Sequence, residues 1–154
     1  TDTGDALSGQ IKAAMFGILA GARTGGLLVN AGYTQAAHNT NFINPYASFP
    51  GYTSIMEEDC DLAGEHAWVA HADYDFSHAG APGFVASVYH TQAYVAGGDF
   101  LSPHQYENNL ILRYGFTGKL DGLSVTGKAA YVTNSQSTGG VKYRDLRLIT
   151  MYKF

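Results

Sequence analysis

The chain has 154 residues, 45% hydrophobic but only 14% charged, enough for one folded domain yet with fewer charges than a soluble surface usually carries. Nine Lys plus Arg against thirteen Asp plus Glu give a net charge of −4 with no basic stripe, which argues against nucleic-acid binding through phosphate contacts. Cys60 is the sole cysteine, which excludes an internal disulfide framework and a cysteine-built zinc site; the longest strongly apolar run, Ala13 to Ala22, is about half the ~20 residues a membrane-spanning helix needs.

The first ten residues show neither a basic nor an apolar signal segment, so any signal peptide is expected to be removed already or to lie upstream. Nineteen Gly, eleven Tyr and eight Phe beside four Pro fit aromatic-rich strands and tight turns, so the expected class is all-β. Period-2 alternation predicts strands near 11 to 23, 27 to 37, 65 to 76, 84 to 95, 106 to 117, 123 to 134 and 141 to 154. Each runs about ten residues or more, beyond the ~5 to 6 usual in soluble sheets and matching the ~9 to 11 of a tilted strand crossing a bilayer. The connections alternate in size. Those near 24 to 26, 77 to 83 and 118 to 122 are short and rich in Gly, Pro or Asp, whereas 38 to 64 is long and acidic, and 96 to 105 and 135 to 140 are polar and Gly/Ser-rich. Short turns at one end and longer loops at the other describe an outer-membrane β-barrel with a periplasmic C-terminus.

Facing reads most clearly late in the chain. Tyr106, Leu110, Leu112, Tyr114 and Phe116 share one face, and Glu107, Asn109, Ile111 and Arg113 the other. The last strand sets Leu146, Leu148, Thr150, Tyr152 and Phe154 against Asp145, Arg147, Ile149, Met151 and Lys153. Trp68, Ala70, Ala72, Tyr74 and Phe76 likewise oppose Val69, His71, Asp73 and Asp75. A soluble lipocalin-like barrel also alternates, with its apolar face inward; strand length, loop asymmetry and the terminal Phe154 favour the membrane barrel.

The last strand, VKYRDLRLITMYKF, resembles the C-terminal signal of bacterial outer-membrane proteins through Phe154, Tyr152, Leu148 and Leu146, with Thr150 a mild departure. That resemblance implies insertion by the barrel-assembly machinery. A more specific one runs from about Asn44 through NPYASFPGY, LAGEHAWVAHADYDFSHAGAPGF and YENNLILRYGFTGKLDGLSVTGKAAYV to RDLRLITMYKF, strongest at Gly64-Glu65, Trp68, Asp73 to Phe76 and Pro82-Gly83. These segments resemble the C-terminal third of the OprD-type outer-membrane porins. The resemblance implies that residues 1–154 are one segment, about seven strands, of an 18-stranded transmembrane antiparallel β-barrel. It further implies a channel, not an enzyme, that passes small hydrophilic solutes such as carboxylates or amino acids by passive diffusion, needs no cofactor, and sits among outer-membrane lipid and lipopolysaccharide. The family's constriction loop is expected to lie in strands preceding this segment. The alternatives are a self-contained eight-stranded outer-membrane barrel with a structural or adhesive role, and the soluble ligand-binding barrel.

From facing, Arg113, Lys128, Arg147 and Lys153 are expected to point into the lumen, where cations can attract an anionic solute; Glu107 and Asp145 share that face and could instead neutralise them in a wall network. Lys153, near the rim, fits the wall best. Tyr89 stands where the family commonly has a basic residue, which weakens the case for a full basic ladder. His71, Asp73 and Asp75 also project inward, as a hydrated lining more readily than as a divalent-cation site. Glu57, Glu58, Asp59 and Asp61 are expected in a solvated surface loop, with Cys60 an incidental thiol. Ser87, His90 and Asp73 make no hydrolase triad, since facing sends Ser87 and His90 to opposite sides and no nucleophile elbow is present.

Overall fold

The computed structural model describes residues 12–42, 51–95, 104–134 and 140–154, and within them every alternating segment is a strand. In chain order these are β1 (Met15–Thr24), β2 (Leu27–Ala36), β3 (His66–Asp75), β4 (Phe84–Tyr94), β5 (Gln105–Gly115), β6 (Leu123–Asn134) and β7 (Val141–Tyr152). They form one sheet in sequence order, each antiparallel to the next, with β1 and β7 as its edges among the described residues. Because side chains alternate across a pleated strand, one register row defines one face over the whole sheet. β1 starts at Met15, later than the alternation predicts, because its ladder ends where Met15 meets Ala36, the last residue of β2. Position 11 lies outside the described residues.

The short turns are built by glycine. Gly25, at φ +52°, and Gly26 close β1 onto β2 in two residues. A single 3-10 turn at Phe76–Ala79 follows β3, capped by the Asp75 carboxylate, which accepts the Ser77 N–H at 2.8 Å, and stopped by the left-handed Gly80. Gly83 and Gly122 serve identical purposes before β4 and β6. Both have positive φ, and each lies so close to the neighbouring strand that a Cβ would meet the Gly115 or Lys153 carbonyl oxygen at 2.3 Å. Gly83→Ala should therefore cost about 1 to 3 kcal/mol or abolish folding, read as a lower urea midpoint and a reduced heat-modifiable fraction on gels.

The two faces differ as alternation demands. One carries Phe16, Ile18, Val29, Val88, Leu110, Leu112, Leu146 and Leu148 and is open; Leu146 and Leu148 are each 78% exposed. Such a broad bare apolar surface calls for a nonaqueous neighbour. Aromatic rings collect at its short-turn end, with Tyr74 edge-on to Phe76 at 4.7 Å and Tyr114 edge-on to Phe116 at 4.8 Å. Tyr33, Trp68, Tyr106 and Tyr131 stand toward the opposite end. The other face is covered by part of the 38 to 64 connection, and the buried residues concentrate there: Thr34, Ala67, Val69, Thr91, Ala93, Glu107 and Val132.

Candidate functional site

The long connection does not stand off as a solvated loop. Residues 51–62 lie along the covered face, and each attachment supplies something an irregular backbone needs, since unpaired polar groups cannot remain buried. Gly17 leaves room for the Tyr52 ring, which would sit 3.2 Å from a Cβ there. Thr53 is fully buried; its hydroxyl lies 2.6 Å from that of Thr34, and its carbonyl accepts the Thr91 hydroxyl at 2.9 Å. Farther along, the Glu107 carboxylate, 0% exposed, accepts three successive backbone N–H groups, from Met56 and Glu57 at 3.2 Å and from Glu58 at 3.0 Å. Three donors converging on one carboxylate make a charge-assisted anchor stronger than neutral hydrogen bonds. Glu58 then accepts from Asn134 at 2.9 Å and from the Tyr143 hydroxyl at 3.0 Å. Glu57 pairs with Arg147, whose Nε also donates to Asp145 at 2.7 Å. The loop thus reaches from β1 to β7.

Burial, then the Asp145 hydrogen bond and the charges of Asp145 and Glu107, raise the pKa of Glu57, with Arg147 opposing. A docked Glu57 therefore holds its proton to higher pH than a free carboxyl, so its contribution to docking is present at low pH and is lost as pH rises through the raised value. Cys60 is 1% exposed, and burial, with the charge of Glu65, pushes its thiol up to about 12. Maleimide labelling of the folded protein near neutral pH should run at least about tenfold slower at Cys60 than at a free thiol, because the thiolate is scarce and shielded. Labelling at the free-thiol rate would show that the loop is not docked. Asp61 is also raised, by burial and by Asp59 and Glu65.

Between the loop and the sheet lies a cavity of about 320 Å³. Tyr52 and Met56 bound it on the loop side, and Asn30, His71, Tyr89 and Lys128 on the sheet side. His71 is held on three sides: by Asn30 at 3.2 Å, by Asp73 at 2.8 Å and by the stacked ring of Tyr89 at 3.9 Å between centroids. Lys128 and Arg147 are register partners on this face. Arg113 lies one row nearer the short turns, opposite Val85 and Thr126. Among the described residues neither Arg113 nor Lys128 forms an ion pair, whereas Arg147 forms two.

The candidate residues thus separate by place. Arg113, Lys128, His71 and Asp73 are on the covered face, below or beside the loop. Glu107, Arg147 and Asp145 are on that face too, as the loop's attachments. Asp75 is at the short-turn end capping its turn, and Lys153 just beyond β7 donates its N–H to the Gly122 carbonyl at 3.0 Å. The acidic cluster departs from the solvated loop expected of it: Glu57 and Glu58 turn onto the sheet because Arg147, Asn134 and Tyr143 offer partners there. Among the described residues no three His, Cys, Asp or Glu side chains could hold a metal ion. Ser87 lies on the covered face and His90 on the open one. Sequence reasoning missed Tyr52, Thr53, Thr91 and Tyr143; the alternation that places Thr91 and Tyr143 on the covered face was the only available signal.

Several solved structures with this fold are longer than this chain. The chain is similar to OccK3 (OpdO) of Pseudomonas aeruginosa, at 25% identity and TM-score 0.76 over 92% of this chain and 39% of that one. It is similar to OccK9 (OpdG) of the same organism at 23% identity and TM-score 0.83, covering 97% and 39%. A third, P. aeruginosa OpdK in a structure with vanillate, gives 22% identity and TM-score 0.85, covering 98% and 41%. The chain thus spans about two fifths of the solved relatives it matches, in their 18-stranded barrels. No curated protein matches it. The family profile described as outer membrane porin, OprD family, matches residues 1–154 throughout, so this all-β chain belongs to the OprD family of outer-membrane porins, and its open apolar face is a membrane face.

Proposed function

We propose that these seven strands form the C-terminal part of a larger closed barrel that passes small hydrophilic solutes by passive diffusion, and that residues 51–62 narrow its lumen. The observation that carries this reading is the loop itself, anchored from β1 to β7 on the polar face by Glu107, Glu58 and Arg147. A loop fastened across a barrel wall reduces the open cross-section, and pore width with lining charge sets selectivity. The edges β1 and β7, without a further strand among the described residues, support a larger barrel, as does coverage of 39 to 41% of the solved relatives.

Both signs of charge line the route: Glu57, Glu58 and Asp145 at the loop, and Lys128 and Arg113 along the wall beneath it. That arrangement suits small carboxylates and amino acids, whose ends differ in charge. Diffusion through a wet barrel needs no catalytic group. Insertion through the barrel-assembly machinery, read from the strand ending in Phe154, belongs to the same proposal.

The test is the intact mass of the protein extracted from outer membranes, followed by planar-bilayer recording. A mass on the order of 40 kDa or more, enough for roughly 18 strands, with ohmic current steps, is the expected result. A mass near 16.5 kDa without steady conductance would overturn the channel and leave a small closed barrel.

A further inference from the structure

The membrane face is not uniformly apolar. Three successive register rows cross it toward the long-loop end. The lowest, Val29, Ala72, Val88, Leu110, Ala129 and Leu146, is apolar throughout. The next is Ala70, His90, Asn108, Tyr131 and Arg144, and the third is Trp68, Gln92, Tyr106, Thr133 and Lys142. Because Ala70, Ala72 and Ala129 are small beside their neighbours, the first two rows enclose a hollow of about 640 Å³ open to the membrane.

The polar groups at the top of that hollow are ordered as donors. The Tyr94 hydroxyl donates to Gln92 Oε1 at 2.5 Å, and Gln92 Nε2 lies 2.9 Å from His90 Nε2. With Gln92 donating there, His90 carries its proton on Nδ1 and donates to Asn108 Oδ1 at 2.7 Å. The Asn108 carbonyl is thereby occupied, and its amide N–H groups share a row with the Tyr131 hydroxyl and the Arg144 guanidinium. Lys142 stands one row higher on the same strand, and both cations are exposed. All four acidic residues in the strands, Asp73, Asp75, Glu107 and Asp145, lie on the covered face, and among the described residues Arg144 and Lys142 have no acidic partner. A guanidinium facing lipid is tolerated only near the interface, which sets this row at headgroup level.

We propose that the hollow seats one phosphate-bearing lipid of the outer leaflet. An acyl chain lies on the apolar row, and the phosphate is taken by Arg144 and Lys142 with the Asn108 amide and the Tyr131 hydroxyl. The bidentate geometry of guanidinium and phosphate makes Arg144 the principal contact. A second copy of this chain is the weaker occupant, because two-fold packing through the patch would set its cations against one another. The proposal does not depend on whether the barrel conducts.

Native mass spectrometry tests it on the complete protein in mild detergent, with diphosphoryl lipid A as probe beside the same lipid stripped of phosphate. The expected result is a one-to-one adduct with the phosphorylated lipid only, not displaced by inorganic phosphate. Lys142→Gln with Arg144→Gln should reduce the bound fraction about tenfold, since both charges that hold the phosphate are gone. Ala129→Phe, which fills the floor and keeps both charges, should reduce it similarly, and either variant decides if the other fails to show heat-modifiable migration. Equal retention of the stripped lipid, undiminished binding by a folded variant, displacement by inorganic phosphate, or a protein dimer in place of the adduct would each overturn the proposal.

Discussion

Replacing Glu107 by glutamine in the complete barrel is expected to release the 51–62 loop and enlarge the channel. The carboxylate receives three backbone N–H groups in a fully buried position. Glutamine keeps the shape but offers one oxygen and turns an amide donor toward donors. Each buried N–H left without a partner costs about 1 to 3 kcal/mol. Even ~2 kcal/mol multiplies the undocked population about thirtyfold, at tenfold per ~1.4 kcal/mol. Two readouts should move together: larger, noisier single-channel current steps, and faster maleimide labelling of Cys60, which the docked loop buries against the sheet. If the variant stays heat-modifiable while current and labelling both match the parent, Glu107 is not the anchor.

Much of the architecture is legible along the chain because it is written at short range. Alternation in Tyr106 to Phe116 and in the final strand assigns faces correctly, since a pleat permits only one assignment once a single row is known. Gly25, Gly83 and Gly122 mark turns because their positive φ values favour glycine, and at Gly83 and Gly122 a Cβ would also strike the neighbouring strand. The loop is different. Residues 51–62 have no period, and their partners lie far away: Glu57 meets Arg147 ninety positions later, and Glu58 meets Tyr143 eighty-five later. A backbone N–H has no sequence identity, so nothing marks Glu107 as the acceptor for three of them. The acidic run is therefore expected in solvent, whereas the fold gives Glu57 and Glu58 partners on the wall. The same long-range pairing separates Arg147 from Arg113 and Lys128, which facing alone groups together.

That separation leads to the second large effect. Arg113→Gln combined with Lys128→Gln should move the reversal potential in a salt gradient toward cation preference, while Arg147→Gln should chiefly change current size and noise. Arg113 and Lys128 carry charge with no acidic partner among the described residues, so their field reaches the water of the lumen. Arg147 is matched by Glu57 and Asp145 and contributes little net attraction for an anion. Its removal instead leaves two facing carboxylates, one of them on the loop, and their repulsion favours undocking. Neutralising the free pair should lower the anion-to-cation permeability ratio severalfold at low salt, with a smaller change at high salt where screening shortens to ~3 Å. Equal reversal-potential shifts from the pair and from Arg147→Gln would mean that all three cations face the solute alike and that the ion pairs do not hold Arg147 against the loop. No shift from the pair, with a normal shift from Arg147→Gln, would place selectivity at the loop rather than on the wall beneath it.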